Sequence, residues 1–506
     1  MEFGRRWWTG AMLALLACTA LIPFAAPMFP TQDGPVHLYY ADVLRGILTH
    51  SAPYAQHFEI KRLLTPYALE YYSLLALETV LSPTASEKVL VACYVLAFGM
   101  GFRYLVESVS ERGNPWILMA IPFSMHMLVY MGFLNYCFAV ALLLFACGMW
   151  IRFAGKLTPR RAASLFGMVL LMLLTHPVPV AVFLVFIAVY FLCDTAGGAV
   201  SWKECVRNRR SELATMAALA AMALVWVGLF VDPVHGDSLR SNHVSNWGWF
   251  NAVATELQLY HVAPFTSLSY RAGAIAAMAF ACTAWIAGFR RELRPATMAL
   301  LAITAMCFVL YCVVPERVSG GYYFAERFPI LFILFLLAGA SSLRLPRGWS
   351  VAAGVIGVIV TADVLVLQWV RVVDIGSRIE LAARAPAIAP GSVGLIIGRR
   401  SSMPDGLAFN PYLWSGVHVF RRSRAILAND PWMDEPILML RPARPDRWSY
   451  LDPDAARQEL AAGSSTGPDF VVQAGLPDFD LDGAMNRSGW SDSGQSSRFI
   501  RVYRRQ

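Results

Sequence analysis

The residues best suited to chemistry lie in one short stretch after the first apolar run: Phe29-Pro30-Thr31-Gln32-Asp33-Gly34-Pro35-Val36-His37. Gly34 and Pro35 make a turn, and proline suits the first turn of a helix. Asp33 then stands near a helix N-terminus, where the dipole favours the ionised carboxylate. A carboxylate there can take a proton from a hydroxyl group, which is general-base work. His37 is four residues on and shares a helix face with Asp33. The same residues also fit a helix cap followed by a solvated helix.

The elements that must hold this stretch are membrane helices. Of the 506 residues, 57% are hydrophobic and only 15% charged, where a soluble domain carries about 25% charged residues. The apolar residues form runs of spanning length near 7–28, 88–108, 115–131, 134–151, 162–176, 178–196, 213–231, 272–289, 296–314, 328–343 and 349–370. Basic clusters fall between alternate runs: Arg152, Lys156, Arg160 and Arg161; Lys203, Arg207, Arg209 and Arg210; Arg290, Arg291 and Arg294; Arg344 and Arg347. With eleven spans all of them face the cytoplasm, together with Arg5 and Arg6, and the C-terminus lies outside. Residues 65–82 are apolar but carry Glu70 and Glu78. A spanning helix there would reverse every later loop and bury a carboxylate at about 2.5–3.5 kcal/mol. The segment therefore reads as an interfacial helix. The net charge of +8 is explained by topology and does not imply nucleic acid. The cysteines show no metal spacing, and none follows Cys312, so no disulfide staples the C-terminal part.

An inside N-terminus, one span, an outer loop with Asp33 just beyond that span, and a Pro-aromatic stretch, Thr65-Pro66-Tyr67 to Tyr71-Tyr72, resemble the GT-C superfamily of membrane glycosyltransferases. That group includes protein O-mannosyltransferases, oligosaccharyltransferases and the aminoarabinose transferases of lipid A. The resemblance implies that Asp33 is the catalytic base, that the donor is a polyprenyl-phosphate sugar, and that the acceptor is a hydroxyl of a lipid, glycan or protein. Two features depart from the family. Asp33 is followed by Gly34 rather than by glutamate, and the second outer loop, Met131–Tyr136, has no carboxylate. A metal-independent site without cofactor is the expectation that follows.

A lipid phosphate needs cations at the membrane surface. Arg317 and Arg327, in the stretch before the tenth run, suit it because arginine stays charged and donates paired hydrogen bonds. Arg327 is favoured because it directly precedes the run, although an interfacial anchor paired with Glu316 or Glu326 fits as well. His176, in Thr175-His176-Pro177, is a candidate phosphate ligand or a histidine satisfied at a helix turn. Asn135 and Tyr136 are candidate sugar contacts or a packed turn. In the long loop 232–271, Glu256 is a candidate second carboxylate, while His235, Asp237 and His243 match no metal spacing. Trp247, Trp249 and Phe250 fit either an interfacial belt or sugar stacking.

Residues 374–506 contain strand-like runs at Val393–Ile397, Phe470–Ala474 and Phe499–Tyr503 and a helical patch at Asp454–Ala462. The expected architecture is an α-helical polytopic membrane protein of about eleven spans. It comprises a transmembrane domain over 1–371 and a small extracytoplasmic α/β domain over 372–506, in the inner (plasma) membrane. The expected function is an inverting glycosyltransferase. The other class considered is a non-enzymatic transport or assembly protein for envelope polysaccharide, against which the spans carry few charges and no inverted repeat.

Overall fold

A computed structural model describes residues 2–60, 62–110, 113–196, 207–230, 263–265, 267–288, 294–314, 323–383, 388–398, 407, 409–427, 438–440, 468–474, 490–492 and 500–505. The helices are α1 (Glu2–Leu21), α2 (Gly34–Leu48), α3 (Ala68–Leu77), α4 (Pro83–Val109), α5 (Leu134–Phe153), α6 (Pro159–Thr175), α7 (Pro177–Ala196), α8 (Arg210–Phe230), α9 (Leu268–Gly288), α10 (Pro295–Val313), α11 (Phe328–Ser341), α12 (Arg347–Ala383) and α13 (Val417–Ser423). Proline opens α4, α6, α7 and α10, where its missing N–H is no loss and its fixed φ suits the first turn.

Among the described residues the apolar runs of the sequence are helical over most of their length. Eight helices among the described residues are long and apolar enough to cross a membrane. The run 115–131 is broken into a 3-10 segment, Pro115–Phe123, and a short helix, Met127–Met131. Pro122 lies inside the first piece and cannot donate the N–H that a continuous helix needs. The runs at α6 and α11 give helices of 17 and 14 residues. The spanning helices leave Leu224, Val225, Ile286, Val313, Ile359 and Val366 exposed, a cost in water that lipid removes. The chain is a multi-pass membrane protein. The 65–82 segment holds only α3, ten residues long, about 15 Å against a hydrocarbon core of about 30 Å.

The chain forms two compact units, each discontinuous in sequence. The first contains Met1–Leu21, Ala92–Leu128 and Leu134–Leu367. Within it α10 packs on α11 and α7, α5 on α6 and α7, and α9 on α11. Aromatic and hydroxyl contacts lock these helices. Trp285 Nε1 donates to the Leu336 carbonyl at 3.2 Å, and the Thr297 and Ser342 hydroxyls lie 2.8 Å apart.

The second unit contains Ile22–Val91, Val129–Phe133 and Gln368–Gln506. Its sheet has strands β2 (Val393–Gly398), β3 (Ile426–Leu427), β5 (Phe470–Ala474), β6 (Trp490–Asp492) and β7 (Ile500–Arg505) in the order β3-β2-β5-β7-β6. β2 runs parallel to β3 and β5, and β7 runs antiparallel to β5 and β6. The three strand-like runs of the sequence form its centre. The patch Asp454–Ala462 lies outside the described residues. β1 (Phe58–Ile60) pairs antiparallel with β4 (Leu438–Leu440).

One apolar core joins α2 to this sheet: Val36, Tyr39, Tyr40 and Val43 from the helix pack with Trp414, Phe420, Ile426, Phe470 and Val472. Tyr39 Oη donates to the Ala425 carbonyl at 3.2 Å and accepts from Leu427 N–H at 3.1 Å. Arg421 Nε donates to Asp42 Oδ2 at 2.9 Å.

Candidate functional site

Asp33 occupies the cap position of α2, with Pro35 in the first turn and no cap hydrogen bond from its side chain. It is 4% exposed, and α2 itself is largely buried, so the solvated helix that the sequence allowed is not formed. The stretch is held by backbone bonds to the end of the short helix Met127–Met131. Gln32 N–H donates to the Tyr130 carbonyl at 2.8 Å, and Asp33 N–H to that of Met131 at 3.1 Å. The approach is close enough to require Gly132, whose φ is +88°. A Cβ there would stand 2.9 Å from Gly34 N. The side-chain amide of Gln32 bridges in the other direction. Its Nε2 donates to Asp33 Oδ1 at 3.3 Å, and its Oε1 accepts from Asn410 N–H at 3.0 Å. Phe29, Tyr130 and Phe409 form an aromatic row beside it, with centroid spacings of 5.4 and 5.3 Å.

A second carboxylate lies beside this turn. Thr31 Oγ1 donates to Glu87 Oε1 at 2.6 Å. A Cβ at position 34 would lie 2.1 Å from that same oxygen and 2.0 Å from Thr31 Oγ1. Gly34 therefore makes room for Glu87, which is 5% exposed. Glu87 reaches this turn from α4. In the sequence Glu87 shows only as a charge directly before the apolar run 88–108. Gln32, Tyr130 and Asn410 were also missed, because they meet only through the fold. His37 Nδ1 lies 3.1 Å from Tyr71 Oη. Burial lowers its pKa to about 4, so at neutral pH its ring is uncharged.

The first unit holds the second group of candidate residues. Arg327 lies in a 3-10 turn just before α11, and His176 caps the C-terminus of α6. Arg327 Nη1 donates to His176 Nε2 at 2.8 Å. Tyr136 donates from Oη to the Arg327 carbonyl. Its ring lies edge-on to His176 at 5.2 Å, with the guanidinium carbon 5.8 Å from its centroid. The Val178 amide reaches His176 Nδ1 at 3.2 Å. Both ring nitrogens thus face N–H donors, and a neutral imidazole, with one accepting nitrogen, satisfies one of them at a time. Asn135 is 6% exposed, and its Oδ1 makes no hydrogen bond among the described residues. Arg327, His176 and Tyr136, drawn from three segments of the sequence, are thus one contact group, with Asn135 adjacent in the chain. Arg317, Glu256, His235, Asp237, His243, Trp247, Trp249 and Phe250 lie outside the described residues. Among the described residues no three His, Cys, Asp or Glu side chains come together as metal ligands.

The helices of the first unit and the mixed sheet of the second recur together in a solved membrane-protein fold. Among solved structures, ArnT from Cupriavidus metallidurans in the apo state matches with a TM-score of 0.51 at 12% identity, covering 98% of each chain. No protein-family model and no curated protein matches the chain. At this identity the match describes the fold.

Proposed function

We propose that this protein is an inverting glycosyltransferase that moves a sugar from a polyprenyl-phosphate-linked donor to an acceptor hydroxyl at the outer face of the membrane. The observation that carries the proposal is Asp33, a buried carboxylate at a helix start soon after the first span, in a chain whose fold matches ArnT over nearly its whole length. In the reaction the acceptor oxygen attacks the anomeric carbon while Asp33 takes its proton. The bond from that carbon to the phosphate oxygen breaks, and the lipid phosphate leaves with the electron pair. Arg327, steadied by His176 and Tyr136, holds that phosphate and stabilises its growing charge. Asn135 is assigned to the sugar, since its unused Oδ1 can accept a hydroxyl hydrogen bond. No metal is required in this scheme, because the guanidinium supplies the positive charge. The charge pattern of the loops supports an N-terminus in the cytoplasm and a second unit outside.

The test is purified protein in lipid with polyprenyl-phosphate sugars and an acceptor mixture. Transfer to product with inverted anomeric configuration, lost in Asp33→Asn with unchanged thermal stability, supports the assignment. Unchanged turnover in that variant removes Asp33 as the base. Absence of turnover in the unaltered chain across lipid-linked donors overturns the enzymatic reading.

A further inference from the structure

The second unit contains a cavity of about 680 Å³ whose walls do not include Asp33. That volume is in the usual range of small-molecule sites. Four arginines line it, Arg45, Arg421, Arg422 and Arg424, against the carboxylates of Asp42 and Glu380. His418 also lines it but adds no charge, since burial, and then Arg421 and Arg422, push its pKa down to about 3. The lining is therefore cationic in excess.

The arginines divide into two kinds. Arg421 and Arg45 are committed to Asp42. Arg422 is exposed and donates to the Ala383 carbonyl. Arg424 is exposed, and its side chain makes no hydrogen bond or ion pair among the described residues. A second observation is independent of this charge. Tyr54 lines the same cavity and is 5% exposed, yet its hydroxyl has no hydrogen-bond partner among the described residues. A buried hydroxyl left unbonded costs about 1–3 kcal/mol. The phenol stays protonated, since burial and then Asp42 raise its pKa. The cavity thus offers an unspent O–H donor among guanidinium groups, the donor set of a phosphate site. Met28 and Pro83 line it as well. Pro83 opens one candidate span, Met28 lies just beyond another, and Glu380 ends a third. A ligand anchored in lipid can therefore present its headgroup here.

We propose that this cavity binds the phosphate headgroup of a membrane amphiphile, held by Arg422, Arg424 and the hydroxyl of Tyr54. The proposal concerns binding alone and does not depend on the transfer reaction.

The experiment uses the full chain in detergent and native mass spectrometry or thermophoresis. The probes are phosphatidic acid in mixed micelles, phosphatidylcholine as the zwitterionic control, and inorganic phosphate alone. Saturable binding of phosphatidic acid over phosphatidylcholine is expected. It should weaken at least tenfold in Arg422→Gln/Arg424→Gln and several-fold in Tyr54→Phe. Both arginines are exposed and the tyrosine loses only an unbonded hydroxyl, so the thermal midpoint should hold. If the double variant fails to fold, Tyr54→Phe decides alone. Inorganic phosphate binding as tightly as the lipid overturns the membrane source. Equal binding of the two lipids, or undiminished binding in the variants, overturns the site.

Discussion

Asp42 holds the junction between the first loop and the C-terminal segment, and its removal is the most informative perturbation of the second unit. Its carboxylate accepts from Arg421 at 2.9 Å, where the two side chains are 12% and 8% exposed. It also pairs with Arg45, whose side chain is 43% exposed. In Asp42→Leu the Arg421 guanidinium is left buried without its carboxylate, at a cost of about 3–5 kcal/mol. Arg45 can turn to water and adds little. In a unit of about 200 residues this corresponds to a fall in melting temperature of roughly 6–20 °C. The partner variant Arg421→Met should cost less, about 1–2 kcal/mol, because Asp42 keeps Arg45 and some access to water. The double variant Asp42→Leu/Arg421→Met should recover most of the loss, since replacing both members of a buried pair by apolar groups is often neutral. Thermal unfolding of the full chain, with limited trypsin digestion to report on residues 368–506, measures all three. If Arg421→Met is as damaging as Asp42→Leu, or the double variant is worse than both, the pair does not hold the junction and the reasoning fails.

Other substitutions test the remaining contacts. Gly34→Ala should disrupt the Asp33 turn by driving a methyl group into Thr31 Oγ1 and Glu87 Oε1, with a loss of about 1–3 kcal/mol in thermal unfolding; an unaffected melting temperature would show that Glu87 does not occupy that notch. Arg327→Lys keeps the charge but loses the planar fork, so KM for the lipid-linked donor should rise about 10–100-fold, with the acceptor KM unchanged. His418 has a folded pKa of about 3 against the ordinary 6.5, so the unfolded chain binds its proton first. Its contribution is constant above pH 6.5, and stability falls as pH drops from 6.5 toward 3, by up to about 1.4 kcal/mol per unit. The difference in melting temperature between the unaltered chain and His418→Gln should therefore change with pH only below 6.5.

Much of the site was legible locally. Asp33 follows an apolar run and precedes Gly-Pro, which is enough to place it at a helix start. His176 precedes Pro177 at the end of one apolar run, and Arg327 lies two residues before Pro329 at the start of another, patterns that put both at helix termini. That they touch was not legible, since 151 residues separate them. Glu87 shows the same limit. It reads as an awkward charge at the start of a span, and its relation to Gly34 is a matter of angstroms between two elements. The strand runs at 393, 470 and 500 were visible from their β-branched and aromatic content, but not their mixed order.

By itself the sequence determined the membrane class, the helical runs and the chemical types available at their ends. These follow from hydrophobic length, proline and charge, which act over a few turns of chain. Only the tertiary structure decided that the first loop and the C-terminal segment share one core, that Arg327, His176 and Tyr136 meet, and that Tyr54 is left with an unused hydroxyl in a cationic cavity. Those outcomes depend on packing between elements hundreds of residues apart, and no local periodicity encodes which buried polar groups will find partners.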